Sequence, residues 1–257
     1  MVRVWDLGSS APTVVVAQPA DAPVAIAALS SDGRYVASAS GRTVRVATVA
    51  DGRVAAELAA EGAVSALVFA PDSARIAVGD ATGAVVIAAL APEARARATA
   101  RLDAAVTSLA FAPDGNRLAA ADSEGAIAVL AADDARVEAA AHHWMQPIRW
   151  IEFSADGGSL LVATDAWLHA LATPLLKPTH SKLFVWPASS TAFTPKSATS
   201  AGFAGVDAGG VLASGVVDLA APPRAVTPEA TALVARDWST ALALALNDNG
   251  DPVPFDR

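Results

Sequence analysis

The sequence contains no cysteine. That absence excludes disulfides and thiolate metal sites. Lysine is scarce: the three in 257 residues, Lys177, Lys182 and Lys196, fall in one stretch of twenty, and no arginine lies between Arg149 and Arg224. Negative charge dominates, at a formal net −8, and no local basic patch offsets it. Such a chain repels phosphate backbones and anionic lipid, so neither nucleic acid nor membrane is expected as a partner. Apolar runs of transmembrane length are missing, and the N-terminus lacks a basic region followed by an apolar stretch, so the sequence reads as cytoplasmic. Catalytic signatures are missing too. There is no G-x-S-x-G elbow, and Gly202, Gly205, Gly209 and Gly210 match neither nucleotide fingerprint. No catalytic residue and no cofactor is expected.

What is present is a repeat. VAIAALSSDG from Val24, VSALVFAPDS from Val64, VTSLAFAPDG from Val106 and IRWIEFSADG from Ile148 align without gaps, with starts 40, 42 and 42 residues apart. A fixed period of this length dictates architecture more strongly than local propensity. Within each copy the apolar pairs Ala27 and Leu29, Leu67 and Phe69, Leu109 and Phe111, and Ile151 and Phe153 alternate, as in a strand with one buried face. Asp32, Asp72, Asp114 and Asp156 then mark a tight turn, helped by Pro71 and Pro113 and by Gly33, Gly115 and Gly157. Further apolar runs follow, so each unit of about 40 residues reads as a four-stranded antiparallel meander that is stable only when stacked on neighbours. Alternation with frequent turns also fits a β-sandwich; the long period decides for a propeller.

The chain opens on MVRVWDL, and Trp5-Asp6 after a short apolar strand, the [SA]-P-D-G-like turns and second strands such as AVGD together resemble the WD40-repeat β-propeller family in degenerate form. The resemblance is clear over residues 1 to about 172. It implies an all-β, WD40-like propeller of four-stranded antiparallel blades, with about five or six blades here, as a partial ring or the C-terminal part of a seven-bladed one. The family's Gly-His dipeptide does not occur, and Ala47, Ala88 and about Leu130 stand where Trp5 stands, so its polar tetrad does not carry over and apolar packing should hold the blades. The resemblance further implies a non-catalytic interaction scaffold or sensor domain, a protein partner and, as in bacterial-looking relatives, membership of a larger protein.

The expected organisation is a half blade at 1–23, blades at 24–63, 64–105 and 106–147, a blade at 148–196 with a proline- and aromatic-rich insertion or elongated outer hairpin at 173–196, and degenerate blades at 197–257. MVRVWDL would be the third strand of a blade whose first two strands come from the chain's own C-terminus or, the favoured reading, from a partner chain or further sequence. Near the C-terminus, Thr227-Pro228-Glu229 could open a strand or a helix, and Asn249-Gly250 suits a hairpin turn better than a calcium loop.

His142, His143, His169 and His180 are read as loop and blade-edge residues, and no metal site is expected, because adjacent histidines point to opposite faces of a strand. Five of the six tryptophans lie after residue 143. Tryptophan and arginine dominate interface anchors. Trp144, Arg149, Trp150, Lys177, Lys182, Phe184 and Trp186 are therefore the expected partner-binding residues. For Trp150 and Trp167, gap-filling between blades is an equal alternative. A small-ligand site in the central channel is disfavoured, since the first strands begin mostly with Val, Ala and Thr.

Overall fold

The computed structural model describes residues 2–5, 12–16, 23–90, 96–142, 146–164, 167–173, 175–183, 188–207, 212–219, 244–246 and 252–254. The chain divides into two compact units, residues 1–220 and 221–257. Every regular element among the described residues is a strand. Trp144, Phe184, Trp186, Thr227-Pro228-Glu229 and Asn249-Gly250 lie outside the described residues, as does the side chain of Lys182.

In the first unit, β1 (Val2–Trp5) pairs with β2 (Pro12–Val16) as a two-stranded sheet. Four antiparallel meanders follow. The first comprises β3 (Ile26–Leu29), β4 (Tyr35–Ser40), β5 (Thr43–Thr48) and β6 (Val54–Ala59), the second β7 (Val64–Phe69), β8 (Arg75–Asp80), β9 (Ala84–Ala89) and β10 (Ala96–Arg101). The third comprises β11 (Val106–Phe111), β12 (Arg117–Asp122), β13 (Ala126–Ala131) and β14 (Val137–His142), the fourth β15 (Trp150–Phe153), β16 (Ser159–Ala163), β17 (Trp167–Ala172) and β18 (Lys177–Leu183). A three-stranded sheet of β19 (Ala188–Ser197), β20 (Ser200–Asp207) and β21 (Leu212–Asp218) closes this unit. In the second unit the described residues form a hairpin, β22 (Leu244–Leu246) with β23 (Pro252–Pro254).

The turn chemistry of the repeat is uniform. Asp32, Asp72, Asp114 and Asp156 each accept, through Oδ1, the backbone N–H two residues on, at 2.8–3.0 Å. The residue after each aspartate is left-handed: Gly33, Gly115 and Gly157 at φ 71°, 71° and 68°, and Ser73 at φ 55°. Serine is disfavoured there. Its hydroxyl lies 2.9 Å from that of Ser31 in the preceding sheet, a bond that glycine could not make.

Successive sheets pack face to face through separate apolar clusters. Phe69, Ile76 and Val78 pack on Ala37, Ala39, Val44 and Val46 of the sheet before, and Leu109 and Phe111 pack on Ala77, Val85 and Ile87. Ile151 and Phe153 repeat the arrangement on Ala119, Ala121, Ile127 and Val129. Alanine and glycine on the second strands let the sheets approach closely. The tightest approach is at Gly79, where an added Cβ would sit 2.8 Å from Val106 Cβ, although the equivalent residues of the neighbouring sheets are Ala39 and Ala121. Gly79→Ala should therefore lose about 2 kcal/mol from overpacking, and Val106→Ala in the same molecule should recover part of it. Urea unfolding of the two single variants and the double variant reads this coupling; strict additivity would refute it.

Polar clamps tie the first turns of neighbouring sheets together. Ser31 Oγ donates to Pro71 O at 2.9 Å. Arg75 Nη2 donates to Gly115 O at 2.9 Å, with its guanidinium 5.9 Å from the centroid of the Phe111 ring. Arg117 repeats the move toward Gly157 O at 3.4 Å and Phe153 at 5.6 Å.

One expectation is corrected: Ala27 and Leu29 are exposed, Leu29 by 54 %, and the described apolar contacts of β1 on this sheet are to Val36 and Ala47. Within the segment expected as an insertion or elongated outer hairpin, β18 pairs with β17 as the fourth strand of its sheet and β19 is the first strand of the next. Pro178 and Pro195 lie on these edge strands, where a missing N–H need break no ladder.

Candidate functional site

The expected contact residues gather mainly around the fourth four-stranded sheet, and antiparallel pairing sorts them to its two ends. Arg149, just before β15, is exposed, and its N–H donates to Ala163 O at 2.8 Å. Trp150 pairs with Ala163 and is half-buried against the cluster containing Leu161, Leu168, Ala201 and Val217. Ala163 pairs with Leu168, which pairs with Lys182, and Trp167 pairs with Leu183. The starts of β15 and β17 and the end of β18 thus share one end of the sheet.

Lys177 lies at the opposite end, paired with Ala172. Lys182 is five steps along the strand from it, about 17 Å at roughly 3.3 Å per residue. Nearness in sequence does not make these lysines one patch.

Trp167 is 38 % exposed, and its ring stacks on that of His169 with centroids 6.0 Å apart and an interplanar angle of 16°. Residues two apart on a strand share a face, which allows this contact. His169 is buried, with Nδ1 2.7 Å from Ser181 Oγ. An indole held by a neighbouring ring and left open to solvent is a rigid contact surface with little rotamer entropy to lose on binding. Trp167 was weighed in the sequence but not placed in the contact set; its position directly after the TDA turn, at the exposed start of a strand, was the available signal.

Beneath this end, burial pushes the Glu152 carboxyl up to about 7. The corresponding positions in the other three sheets are Ala28, Val68 and Ala110. Two further acids, Asp80 and Asp122, end the second strands of their sheets and are buried at 2 % and 1 % exposure. Burial opposes ionisation of Asp80, but donors outweigh it and hold the carboxyl below the usual range: the Thr82 hydroxyl at 2.6 Å and the N–H groups of Gly62, Thr82 and Ala84 at 2.7, 2.8 and 3.2 Å. Asp122 Oδ1 likewise accepts the N–H groups of Glu124 and Ala126 at 3.0 and 2.9 Å. Apolar packing is therefore supplemented by polar caps at these corners. The dipeptides Gly79-Asp80 and Ala121-Asp122, each before a second turn, were their signature.

His142 Nε2 lies 2.9 Å from Glu124 O, and His180 Nδ1 lies 3.2 Å from Thr179 Oγ1, so the described histidines have separate local partners. Among the described residues no group of three or more His, Cys, Asp or Glu could hold a metal ion. No helix among them is long and apolar enough to cross a membrane.

Residues 98–129 match the family model described as WD domain, G-beta repeat. The chain carries a WD40 repeat. The match begins in the outer strand β10 and ends in β13, the third strand of the next sheet, so WD40 sequence repeat and four-stranded sheet are one strand out of step. The stacked antiparallel meanders on either side have the architecture of a WD40-like propeller. No curated protein gives a significant match to the chain. WD40 repeats generally mediate protein–protein interaction or scaffolding, and the family is generally non-catalytic.

Proposed function

We propose that this protein is a non-catalytic interaction scaffold, a sensor or docking module of a larger protein or complex, whose contact surface lies at the Arg149–Trp167 end of the fourth sheet. The observation that carries this reading is the exposed Trp167 ring, braced on His169 and sharing one sheet end with Arg149 and Trp150. Lys182 belongs to the same surface by its place on β18, and Trp144, Phe184 and Trp186 by their place in the sequence. An anchor of tryptophan and arginine with a protein partner is the chemistry this composition favours. Lys177 then contributes little, because it lies at the other end of the strand. The fold presents such a surface rigidly, since apolar clusters on both sides fix the fourth sheet, one shared with the third sheet and one with the three-stranded sheet that follows.

The test is quantitative affinity capture from the protein's own cells, comparing the wild type with Trp167→Ala, Arg149→Glu, Lys182→Glu, Trp186→Ala and Lys177→Glu. A specific partner should be retained by the wild type and by Lys177→Glu, and its recovery should fall at least tenfold with Trp167→Ala or Arg149→Glu, on the order expected for loss of a central anchor. Equal recovery across the whole series would overturn the assignment.

A further inference from the structure

No sequence motif joins Ser181 to His169; the register of β17 and β18 does. The two end a row across the fourth sheet, Ile151, Val162, His169 and Ser181, whose first two members share an apolar cluster with Ala121 and Ile127 of the third sheet. The matching cross-strand pairs in the other sheets are Arg45 with Glu57, Val86 with Thr99 and Ala128 with Ala140. The repeat itself therefore calls for neither a histidine nor a serine here.

His169 is only 6 % exposed, whereas Ser181 is exposed. Ser181 Oγ lies 2.7 Å from His169 Nδ1, and Trp167 stacks on the imidazole and fixes its plane. A hydroxyl open to solvent, an imidazole within hydrogen-bond reach and a third group that orients the imidazole are the parts of an activated nucleophile. Neighbouring hydroxyls lack this combination. Thr179 is exposed and 3.2 Å from His180 Nδ1, but its hydroxyl donates to Ala170 O at 3.0 Å, so its proton is already committed. Ser30 and Ser154 bond the aspartates of their own turns and are buried.

We propose that Ser181 accepts an acyl group from an activated ester or thioester, with His169 as its general base. With the ring proton on Nε2, Nδ1 takes the proton of Ser181 Oγ as that oxygen attacks the carbonyl carbon. The bond from that carbon to the leaving oxygen or sulfur then breaks, and His169 returns the proton to the departing alcohol or thiol. Ser181 is left as an ester, and nothing is oxidised or reduced. An acyl donor suits the surroundings better than a phosphoryl donor. The exposed Trp167 ring, on the same sheet face as His169, offers apolar surface to an acyl chain, and a net charge of −8 repels polyphosphates. This modification needs no partner protein, so its test does not depend on the docking assignment.

The test is treatment of the full chain with p-nitrophenyl acetate, read by intact mass and peptide mapping. One acetyl group per chain should appear early, on Ser181. Ser197 is the internal control: it is exposed, and its hydroxyl is equally close, at 2.7 Å, to that of Ser200, which is no base. Ser181 should react at least about a hundredfold faster than Ser197, the lower end of what general-base assistance contributes. Ser181→Ala, a change at an exposed position, should abolish the fast phase, and His169→Gln should slow it to the rate of Ser197. Circular dichroism checks the fold, and the comparison of Ser181 with Ser197 in the wild type stands even if His169→Gln does not fold. The proposal is overturned if Ser181 reacts no faster than Ser197, if the acetyl group resides on a lysine or histidine instead, or if folded His169→Gln reacts like the wild type.

Discussion

Glu152→Gln should make the protein more stable at neutral pH, by about 2–3 kcal/mol, and should flatten its stability profile between pH 4.5 and 7. The Glu152 carboxyl is pushed from its ordinary value of 4.5 up to about 7 by burial, with no opposing cause. Below pH 4.5 it is protonated in both folded and unfolded chains, and it contributes no penalty. As pH rises through 4.5 the unfolded chain ionises freely while the folded one resists, so stability falls until the folded group ionises near 7. Glutamine does not titrate, and the loss disappears. Acids that favour the ionised folded form, such as Asp32, held at about 2, act in the opposite direction but only at lower pH, as pH falls toward that value. The two slopes therefore occupy different windows. Urea titrations of wild type and variant at pH 4.5, 6 and 7.5 measure the difference directly. Parallel profiles would mean that Glu152 is solvated or paired in solution.

Gly83→Ala should be the most damaging small substitution, with a loss of about 3 kcal/mol or more. Gly83 has φ 87°, where an L-residue is strained. It also faces backbone: an added Cβ would collide with Leu102 O and come within 2.8 Å of Ala104 O. Neither oxygen can swing aside, because Leu102 N–H donates to Gly83 O at 2.9 Å and fixes the two segments together. Gly33 provides the control. Its φ of 71° is similar, but no atom lies within 4 Å of its added Cβ. Gly33→Ala should thus lose only about 1 kcal/mol, the conformational part alone. Thermal or urea unfolding of both variants separates backbone strain from collision, and equal losses would refute the role assigned to the Leu102 and Ala104 carbonyls.

The repeated inner hairpins were legible in the sequence because alternation and an aspartate turn coincide in each copy, with a glycine after the aspartate in three of the four. At Ser73 the glycine is absent, yet the turn forms, since Ser31 of the preceding repeat bonds both the Ser73 hydroxyl and Pro71 O of that turn. Such help from across an interface leaves no local trace. The same reason hides the arginine clamps, for nothing in SARIAV or GNRLAA says that Arg75 and Arg117 reach into the next repeat. Proline density marks residues 173–196 as a departure from the repeat without saying which of them are strand, because proline is excluded only from central strands and Pro178 and Pro195 sit on edges. The candidate surface was partly legible. Residue type pointed to Arg149 and the tryptophans, but their sorting needed the register of β17 and β18, which separates Lys177 from Lys182 and adds Trp167.

The forward-reaching clamps have a consequence for how the molecule comes apart. Across sheets, Arg75 and Arg117 reach the sheet that follows, Arg75 being held from its own turn by Asp72, and each apolar cluster joins adjacent sheets. Energy is thereby stored between nearest neighbours, so the chain should behave as a short linear array with unequal links rather than as one all-or-none block. Hydrogen exchange would then show a graded profile. The slowest amides would lie in β8, β12 and β13, between two complete neighbours, and the fastest in the strands that flank them on either side. A lesion in one link, such as Gly79→Ala between the second and third sheets, would let its two sides open at different denaturant concentrations.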